Sequence, residues 1–250
     1  MIDRILDENT KRYANGSIVD DYMKEQYHVK RIDVALELMV EAIDRLVSHK
    51  EKNNIRILEL ASANGEVAKR IHELGFNVVA SDYIIEPLER LNSTGIDLIP
   101  FDVSEQFPFT DSSFDVVFAG DIIEHLFDTN HFFRECYRIL LDNGLLLLTT
   151  PNLATLQDRF RFLLGKSPRQ VNPNHEYLKL HIRPFTQQKL KEVATENGFK
   201  IYKFKSNYVT LRRGKKQKIY FKSKLLAKLL PGLGGSIIAC FRKGAANDRC

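Results

Sequence analysis

Small and acidic side chains follow the first short apolar segment of this sequence. Glu59 lies near the end of that segment, and very small residues follow it as far as Gly65. A loop of small residues between a buried strand and a helix lets a ligand lie against the backbone, where the N–H groups of the helix N-terminus face it. The pattern therefore predicts a binding loop for a nucleotide-like ligand. Its members are Ala61, Ser62, Ala63 and Gly65.

Acidic or polar groups also follow the next three apolar segments. Asp82 can accept hydrogen bonds from both hydroxyls of a ribose, and Asp102 beside Val103 suits the amino group and ring face of an adenine. Gly120 and Asp121 close the fourth segment. Ligands of open parallel sheets bind beyond the carboxyl ends of the strands, so these groups should converge on one rim. No strand end supplies a cation, which favours a cationic, ribose-containing ligand over a phosphate-rich one.

Short apolar runs alternate with helical patterns between residues 55 and 150. Apolar strands separated by helices predict a doubly wound, mostly parallel sheet of the α/β class. The predicted strands are residues 55–60, 77–81, 98–101, 114–119 and 145–150, and the predicted helices are residues 66–74, 86–91 and 130–140. Asp142, Asn143 and Gly144 predict a turn between the last helix and the last of these strands.

The flanking regions complete the predicted organisation. Residues 1–50 carry apolar side chains at helical spacing and predict an N-terminal helical cap. Residues 51–152 form the ligand-binding half, residues 153–185 a lid or substrate insertion, and residues 186–250 the C-terminal part of the same domain. Thr186 can cap a helix that runs to Asn197, and strands are predicted at residues 199–204 and 236–241. Residues 220–230 predict a basic amphipathic helix.

The charge is unevenly distributed along the chain. The formal net charge is +5, yet the first 196 residues hold 23 Lys and Arg against 31 Asp and Glu. Residues 198–246 hold 13 Lys and Arg and no acidic residue. This basic segment predicts an anionic partner, which could be a phosphate-bearing substrate, a membrane surface or nucleic acid. A solvated basic face is the alternative.

The cysteines and the apolar stretches bear on location. Cys136, Cys240 and Cys250 are far apart and show no metal-binding or disulfide spacing, which suits a reducing cytoplasm. Charged residues begin at Asp3, so no signal peptide is predicted. Lys228 and several Pro and Gly residues interrupt the apolar stretch from 225 to 241, so no membrane span is predicted. We expect a cytoplasmic protein, with peripheral contact to an anionic membrane as an open alternative.

Four segments of the sequence resemble the class I S-adenosylmethionine-dependent methyltransferases. They read ILELASANGEVAKRI, VVASDYI, PFDVSEQFPFTDSSFDVVFAGDIIEHL and LLDNGLLLLTTPN, in the order of the family, and lie between residues 55 and 152. The later segment HIRPFTQQKLKEVATENGF resembles the region after the fifth strand of small-molecule methyltransferases. The resemblance implies a Rossmann-like sheet of seven strands whose last strand is antiparallel. It also implies S-adenosylmethionine as the cofactor and S-adenosylhomocysteine as the product.

The resemblance also implies a role for each rim residue. The methionine end of the cofactor would contact Glu59 and the loop at residues 61–65, and the ribose would contact Asp82. Asp102 and Val103 would hold the adenine, and Gly120 and Asp121 the amino-acid portion or the sulfonium side. Tyr83 would also contact the cofactor. The loop of the family usually has glycines where this chain has Ala61 and Ala63. If these positions require a left-handed backbone, each alanine costs roughly 1–2 kcal/mol.

Two histidines are candidate bases for a hydroxyl nucleophile. His125 follows the fourth strand at the rim, and His181 lies in the predicted lid with His175 and Arg183. Capping or packing is the alternative for each of them. Two histidines six residues apart in a loop do not form a metal-binding pattern, so no metal is expected. Glu124 is expected to be a solvated helix residue without a role.

An N-terminal group of aromatic and histidine side chains could fold over the cofactor. The alternative is that these side chains only pack between helices. The group comprises Tyr13, Tyr22, Tyr27 and His28.

The implied activity is methyl transfer to a small molecule, a sugar or a lipid-linked acceptor, at oxygen. Ala61 and Ala63 motivate the alternative of a non-catalytic binding protein that keeps the fold. A nicotinamide-dependent oxidoreductase would need G-x-G-x-x-G, which the loop lacks. Nucleic acid is not favoured as a substrate, because the chain lacks the Asn/Asp-Pro-Pro-aromatic run of enzymes that methylate base amino groups.

Overall fold

The computed structural model describes residues 25–47, 50–84, 86–175, 178–213 and 218–244, without the side chains of Arg213, Lys218 and Tyr220. The strands are β1 (Arg56–Leu60), β2 (Asn77–Ser81), β3 (Asp97–Leu98), β4 (Phe114–Gly120), β5 (Leu140–Pro151), β6 (Phe199–Lys205), β7 (Val209–Arg213), β8 (Lys218–Ser223) and β9 (Ser236–Lys243). The α-helices are α1 (Gln26–Leu46), α2 (Glu66–Glu73), α3 (Thr129–Ile139), α4 (Leu156–Leu163), α5 (Gln187–Glu196) and α6 (Lys224–Leu229). Short 3₁₀ turns cover Lys52–Asn54, Glu86–Leu91, Ile123–His125, Arg169–Val171, Leu178–Leu180 and Pro231–Leu233.

Seven strands form one sheet in the order β3-β2-β1-β4-β5-β9-β6. Neighbouring strands from β3 to β5 pair in parallel, whereas β9 pairs antiparallel with both β5 and β6. This arrangement confirms the predicted sheet with its antiparallel last strand. β7 and β8 form a separate antiparallel pair.

Both faces of the sheet are covered by apolar clusters. Alternate residues of a strand point to opposite faces, so Ile57 of β1 belongs to one cluster and Leu58 to the other. On one face α1 packs its apolar stripe, which includes Ile32, Leu36 and Met39. On the other face α3 and α5 cover the sheet. The two layers bury the strands and leave the strand ends to form a site.

The predicted helix at residues 220–230 is wrong in its first half. Residues up to Ser223 belong to β8, where Phe221 pairs with Leu211 of β7. Ser223 then caps α6, because its Oγ accepts the N–H of Leu226 at 3.1 Å. Apolar and basic side chains alternate along β8. Over a stretch this short, such alternation resembles the apolar stripe of a helix, because both patterns place apolar and basic residues on opposite sides.

Other predicted elements differ mainly in their bounds. Residues 86–91 form a 3₁₀ turn rather than an α-helix, and β3 has two residues where four were predicted. Thr186 caps α5 as predicted, with its Oγ1 accepting the N–H of Lys189 at 3.1 Å. Asn143 has a φ of 63°, which fits the predicted turn inside the irregular start of β5. Among the described helices, none combines the length and apolar character needed to cross a membrane.

Candidate functional site

The loop after β1 has a left-handed backbone at three alternate positions. The φ angles are 56° at Ala61, 50° at Ala63 and 74° at Gly65. Alanine in this region brings its Cβ close to the following carbonyl oxygen, at about 1–2 kcal/mol per residue. The loop therefore has the backbone that glycines would adopt readily, although two of its three positions carry alanine.

Hydrogen bonds between β1 and β2 hold this loop in place. The N–H of Ser62 donates to the carbonyl of Ser81 at 2.9 Å, and the N–H of Ser81 donates to Ser62 Oγ at 3.2 Å. Both serine hydroxyls donate to the carbonyl of Glu59 at 3.1 Å. These buried contacts offset the strain of the neighbouring alanines, since each satisfied hydrogen bond contributes about 1 kcal/mol.

Gly65 is required by packing as well as by its backbone. A Cβ at this position would lie 2.3 Å from Leu91 Cδ1, far inside contact distance. Gly65 immediately precedes α2, and Leu91 lies in the turn after β2. The loop therefore packs against the buried Leu91 at this position, and any residue larger than glycine would collide with that leucine.

Glu59 lies beneath the loop with an unsatisfied oxygen. Its side chain is 4% exposed, and its Oε2 has no hydrogen-bond partner among the described residues. Burial raises the pKa of this carboxyl to about 8. A buried carboxylate oxygen without a partner fits a site that receives a donor from a bound ligand, such as the amino group of S-adenosylmethionine.

Asp82 is fixed by the backbone on both sides of it. Its Oδ2 accepts the N–H of Ala63 at 2.8 Å, and its Oδ1 accepts the N–H of Ile84 at 3.1 Å. Burial raises the pKa of Asp82. Each carboxylate oxygen can accept a further bond, so the geometry suits two ribose hydroxyls. Tyr83 beside it is exposed.

Asp102 braces its own turn. Its Oδ1 accepts both the N–H and the hydroxyl of Ser104, at 2.8 and 2.7 Å. Val103 is buried in the apolar cluster beneath the sheet. The two residues follow β3, and the role predicted for them at an adenine stays a prediction.

Asp121 receives a cation that the sequence pattern did not place at the rim. Its Oδ1 accepts the hydroxyl of Thr149 at 2.8 Å, and its Oδ2 pairs with the guanidinium of Arg31 from α1. Arg31 is only 4% exposed. The strand ends themselves supply no cation, as expected, and the cation at the rim comes from a helix instead. A signal existed, since Arg31 lies three and four positions before the buried Val34 and Ala35 on the apolar stripe of α1.

Two N-terminal side chains of the predicted lid lie within the described residues. His28 Nδ1 lies 3.3 Å from a guanidinium nitrogen of Arg31, and burial with this neighbouring charge lowers the pKa of His28 to about 4. The hydroxyl of Tyr27 lies 3.2 Å from Ser236 Oγ, at the start of β9, where Ser236 pairs with Pro151 at the end of β5. Tyr13 and Tyr22 lie outside the described residues.

Glu124 is buried rather than solvated, which contradicts the sequence-based expectation. Its side chain is 1% exposed, and its Oε2 accepts the hydroxyl of Thr150 at 2.9 Å. Its Oε1 is also buried and has no hydrogen-bond partner among the described residues. Burial, followed by the nearby Asp121 carboxylate, raises the pKa of Glu124 well above its usual value. The 3₁₀ turn Ile123–His125 directs this side chain inward, which a helical periodicity would not have shown.

The two candidate bases meet beside Glu124. The rings of His125 and His181 are edge to face, with centroids 4.9 Å apart. His125 Nδ1 lies 3.1 Å from the carbonyl of Leu180, and the N–H of Arg183 donates to the carbonyl of Glu124 at 3.0 Å. Burial lowers the pKa of both histidines, that of His181 to about 4. The insertion is thus joined to the turn after β4, and both imidazoles are neutral near pH 7.

Comparisons with known proteins agree with this fold. Residues 28–203 match a family described as a methyltransferase domain. A protein of Mycobacterium tuberculosis named "Probable S-adenosylmethionine-dependent methyltransferase Rv3030" is 30% identical over 145 residues, which are 57% of this chain and 48% of that relative. The chain thus spans about half the length of this mycobacterial relative. A ubiquinone/menaquinone biosynthesis C-methyltransferase of Rickettsia prowazekii is 27% identical over 223 residues, covering 74% of this chain and 90% of that protein.

A solved structure shows the same fold. The structure of a Bacillus halodurans protein named "putative methyltransferase (BH2331)" superposes with a TM-score of 0.60 at 19% identity, over 82% of this chain and 98% of that one. The family match and the fold identify the chain as one of the class I methyltransferases. The chain belongs to the methyltransferase domain family.

Proposed function

We propose that this chain transfers the methyl group of S-adenosylmethionine to an oxygen of a small-molecule, sugar or lipid-linked acceptor. The observation that carries the proposal is a group of proton-accepting side chains at the end of β4, formed by the buried Glu124 and the half-buried His125 and His181. β4 pairs in parallel with β1, so this group and the loop after β1 lie at neighbouring strand ends. A base beside the methyl donor serves a hydroxyl nucleophile.

The rim residues suit the parts of the cofactor. Glu59 Oε2 can accept from the amino group of the methionine portion, and the buried guanidinium of Arg31 suits its carboxylate. Asp82 can accept from the ribose hydroxyls while it remains bonded to the loop. Asp102 and Val103 are proposed at the adenine.

The chemistry that the cofactor supplies is an electrophilic methyl group on a sulfonium. The protein contributes by holding the acceptor oxygen in line with that methyl group, which replaces an unfavourable encounter in solution. The backbone carbonyl of Leu180 can accept the Nδ1–H of His125, which leaves Nε2 to take the hydroxyl proton. The new C–O bond forms as the C–S bond breaks, and the proton passes from His125 to water. S-adenosylhomocysteine is the product.

Exposed apolar side chains support a lipid-linked acceptor. On α4, Phe162 is 71% and Leu163 is 80% exposed, and on α6 Leu225 and Leu229 are also exposed. Both helices contact β7, so the two apolar sets flank the same strand pair. Monomeric soluble proteins rarely expose such contiguous patches without a partner.

Basic residues accompany these apolar side chains. Lys222 and Lys224 lie near the ring of Tyr208, and Lys228 follows on α6. Apolar groups combined with Lys and Arg are the combination that binds anionic lipid interfaces. The name of the Rickettsia relative, which refers to ubiquinone and menaquinone, is consistent with an acceptor of this kind. We propose that this surface rests on a membrane.

Calorimetric titration with S-adenosylmethionine and S-adenosylhomocysteine tests the cofactor site. Asp82→Ala should weaken binding by about 1–3 kcal/mol, because it removes a half-buried hydrogen-bonding carboxylate. Asp97→Ala, on the exposed edge of β3, is the matched control and should bind normally. Absence of binding of either compound near millimolar concentration would overturn the proposal.

Turnover separates the enzyme from a binding protein that kept the fold. Methyl transfer from labelled cofactor should be measured with hydroxylated sugars, phenols and reduced quinones. His125→Gln should lower kcat more than it changes cofactor affinity, since His125 acts on the acceptor proton. Cofactor binding with no transfer to any acceptor class would favour the binding protein, and transfer to carbon alone would contradict the choice of oxygen.

Flotation with anionic vesicles tests the proposed lipid surface. The double variant Phe162→Ser, Leu163→Ser should lose vesicle binding, and so should the triple change of Lys222, Lys224 and Lys228 to Glu. Leu74→Ser, at an exposed leucine after α2, serves as the control. If both multiple variants float like the unchanged protein, the surface does not bind membranes.

A further inference from the structure

The group Glu124, His125 and His181 has the composition and spacing of a metal site. One carboxylate oxygen of Glu124 and one nitrogen from each imidazole all lie within 4.8 Å of one another. Two imidazoles and one carboxylate are a donor set that binds Zn²⁺ and similar divalent transition metals and leaves coordination positions open. The three residues come from two separate segments, which the fold brings together.

An independent observation indicates that this group receives a ligand. Glu124 Oε1 is buried and has no hydrogen-bond partner among the described residues, while Thr150 satisfies Oε2. Buried carboxylate oxygens are nearly always satisfied, so an orphaned one needs a partner. A cation held between the carboxylate and the imidazoles would supply it.

The surroundings orient the donor atoms. The carbonyl of Leu180 faces His125 Nδ1 at 3.1 Å, so Nδ1 can donate to it and present the Nε2 lone pair. Such a bond to the second nitrogen is the usual support of a metal-binding histidine. The hydrogen bond from Thr150 holds the Glu124 carboxylate in the same way.

The local charge is compatible with a divalent cation. Asp121 is close to the group, and its charge is balanced by Arg31. An ionised Glu124 therefore leaves one negative charge for the metal. A second negative charge would come from an acceptor hydroxyl that loses its proton.

We propose that Glu124, His125 and His181 bind a divalent transition-metal ion, with open positions that take the acceptor oxygen. This inference rests on the proposed methyl transfer and assigns the histidines a holding role within it. A hydroxyl bound to the metal would become more acidic and release its proton to water. The resulting oxygen would form its bond to the methyl carbon as the C–S bond breaks, which releases S-adenosylhomocysteine. The site should favour acceptors with an ionisable hydroxyl, such as phenols and reduced quinones, over simple alcohols.

Metal binding can be measured on the full chain without cofactor. Titration calorimetry with Zn²⁺ and the visible absorption of added Co²⁺ should show one saturable site, with much weaker binding of Mg²⁺ because imidazole suits softer ions. His181→Ala and Glu124→Gln should each weaken Zn²⁺ binding by about tenfold or more. His181→Cys should retain Zn²⁺ binding, since a thiolate can replace the imidazole.

A matched control and a separate cofactor titration make the result decisive. His131→Ala changes a half-buried histidine of α3, whose Nε2 lies 3.0 Å from the carbonyl of Glu105, and should leave Zn²⁺ binding unchanged. The absence of saturable Zn²⁺ binding, or binding that His181→Ala and Glu124→Gln leave unchanged, overturns the metal site. If S-adenosylmethionine still binds in that case, the proposed function stands with His125 as the base. Zinc binding without cofactor binding would instead support the metal site and contradict the proposed methyl transfer.

Discussion

The guanidinium of Arg31 pairs with the carboxylate of Asp121, which lies 90 positions later in the chain. The pair joins α1 to the end of β4, and both side chains are largely buried. Removing one partner from a buried ion pair leaves an uncompensated charge, which costs about 3–5 kcal/mol. The contact therefore fixes the N-terminal helix over the cofactor rim.

Arg31→Met should lower the free energy of unfolding by about 3 kcal/mol, and adding Asp121→Asn should recover part of that loss. Urea unfolding of the two single variants and the double variant measures the coupling. Arg70→Met breaks a more exposed pair with Asp33 and should cost less than about 1 kcal/mol. Equal losses in Arg31→Met and Arg70→Met would show that the buried pair has no special weight.

The two left-handed alanines should respond to glycine differently from an alanine in a helix. Ala61→Gly and Ala63→Gly remove about 1–2 kcal/mol of backbone strain each, partly offset by the greater flexibility of unfolded glycine. We expect unchanged or slightly increased stability in urea unfolding. The control Ala68→Gly, within α2, should lose about 1 kcal/mol. A comparable loss at all three positions would contradict the strain at Ala61 and Ala63.

Alanine variants of Gly65 and Gly75 distinguish the stability lost through a steric collision from the stability lost through backbone strain. Both have positive φ, but an added Cβ meets Leu91 at Gly65 and nothing within 4 Å at Gly75. Gly75→Ala should cost about 1–2 kcal/mol, and Gly65→Ala should cost about 1–3 kcal/mol more. Thermal and urea unfolding of the two variants would show the difference. Equal costs would mean that Leu91 moves aside freely.

The buried Glu59 should make the free energy of unfolding fall as the pH rises from 4.5 to about 8. Its pKa is raised from 4.5 to about 8, so the folded chain keeps a proton that the unfolded chain releases, and stability falls as the pH rises through that interval. His28 and His181 act oppositely, since their pKa values are lowered from 6.5 to about 4 and they destabilise the fold as the pH falls below 6.5. The carboxyl effect should therefore be clearest between pH 6.5 and 8, at up to about 1.4 kcal/mol per pH unit.

Urea unfolding at three pH values, about 6.5, 7.2 and 8, tests this dependence. Glu59→Gln should flatten the alkaline decline, although the raised pKa of Glu124 leaves a residual slope of the same sign. Glu73→Gln, at an exposed residue of α2, should keep the full decline. An unchanged slope in Glu59→Gln would show that this carboxyl does not titrate in the interval.

The order of strands and helices could be predicted from sequence because each segment has a clear period. Apolar runs such as 114–119 and the spacing of Ile32, Leu36 and Met39 report burial directly. The basic stretch after residue 217 could not be assigned in this way. Its apolar residues alternate for only a few positions before the helix begins, so short strand and helix patterns overlap.

The strand-end acids of the site were also predictable, whereas its second half was not. Glu59 lies next to the end of β1 and Asp82 directly follows β2, and the pairing of these two strands brings them together. Arg31 and His181 reach the rim from distant segments, and only tertiary packing places them there. The burial of Glu124 depends on one 3₁₀ turn, a local geometry that residue spacing does not encode.

The position of β9 has a consequence for synthesis of the protein. β6 joins the main sheet only through β9, and β9 is the last described strand along the chain. During synthesis, the edge of β5 stays unpaired until residues 152–243 have been added. Adding them takes roughly 5–20 s at ordinary elongation rates. During that interval the unpaired edge of β5 can associate with other chains. We therefore expect the nascent chain to depend on chaperones until β9 inserts beside β5.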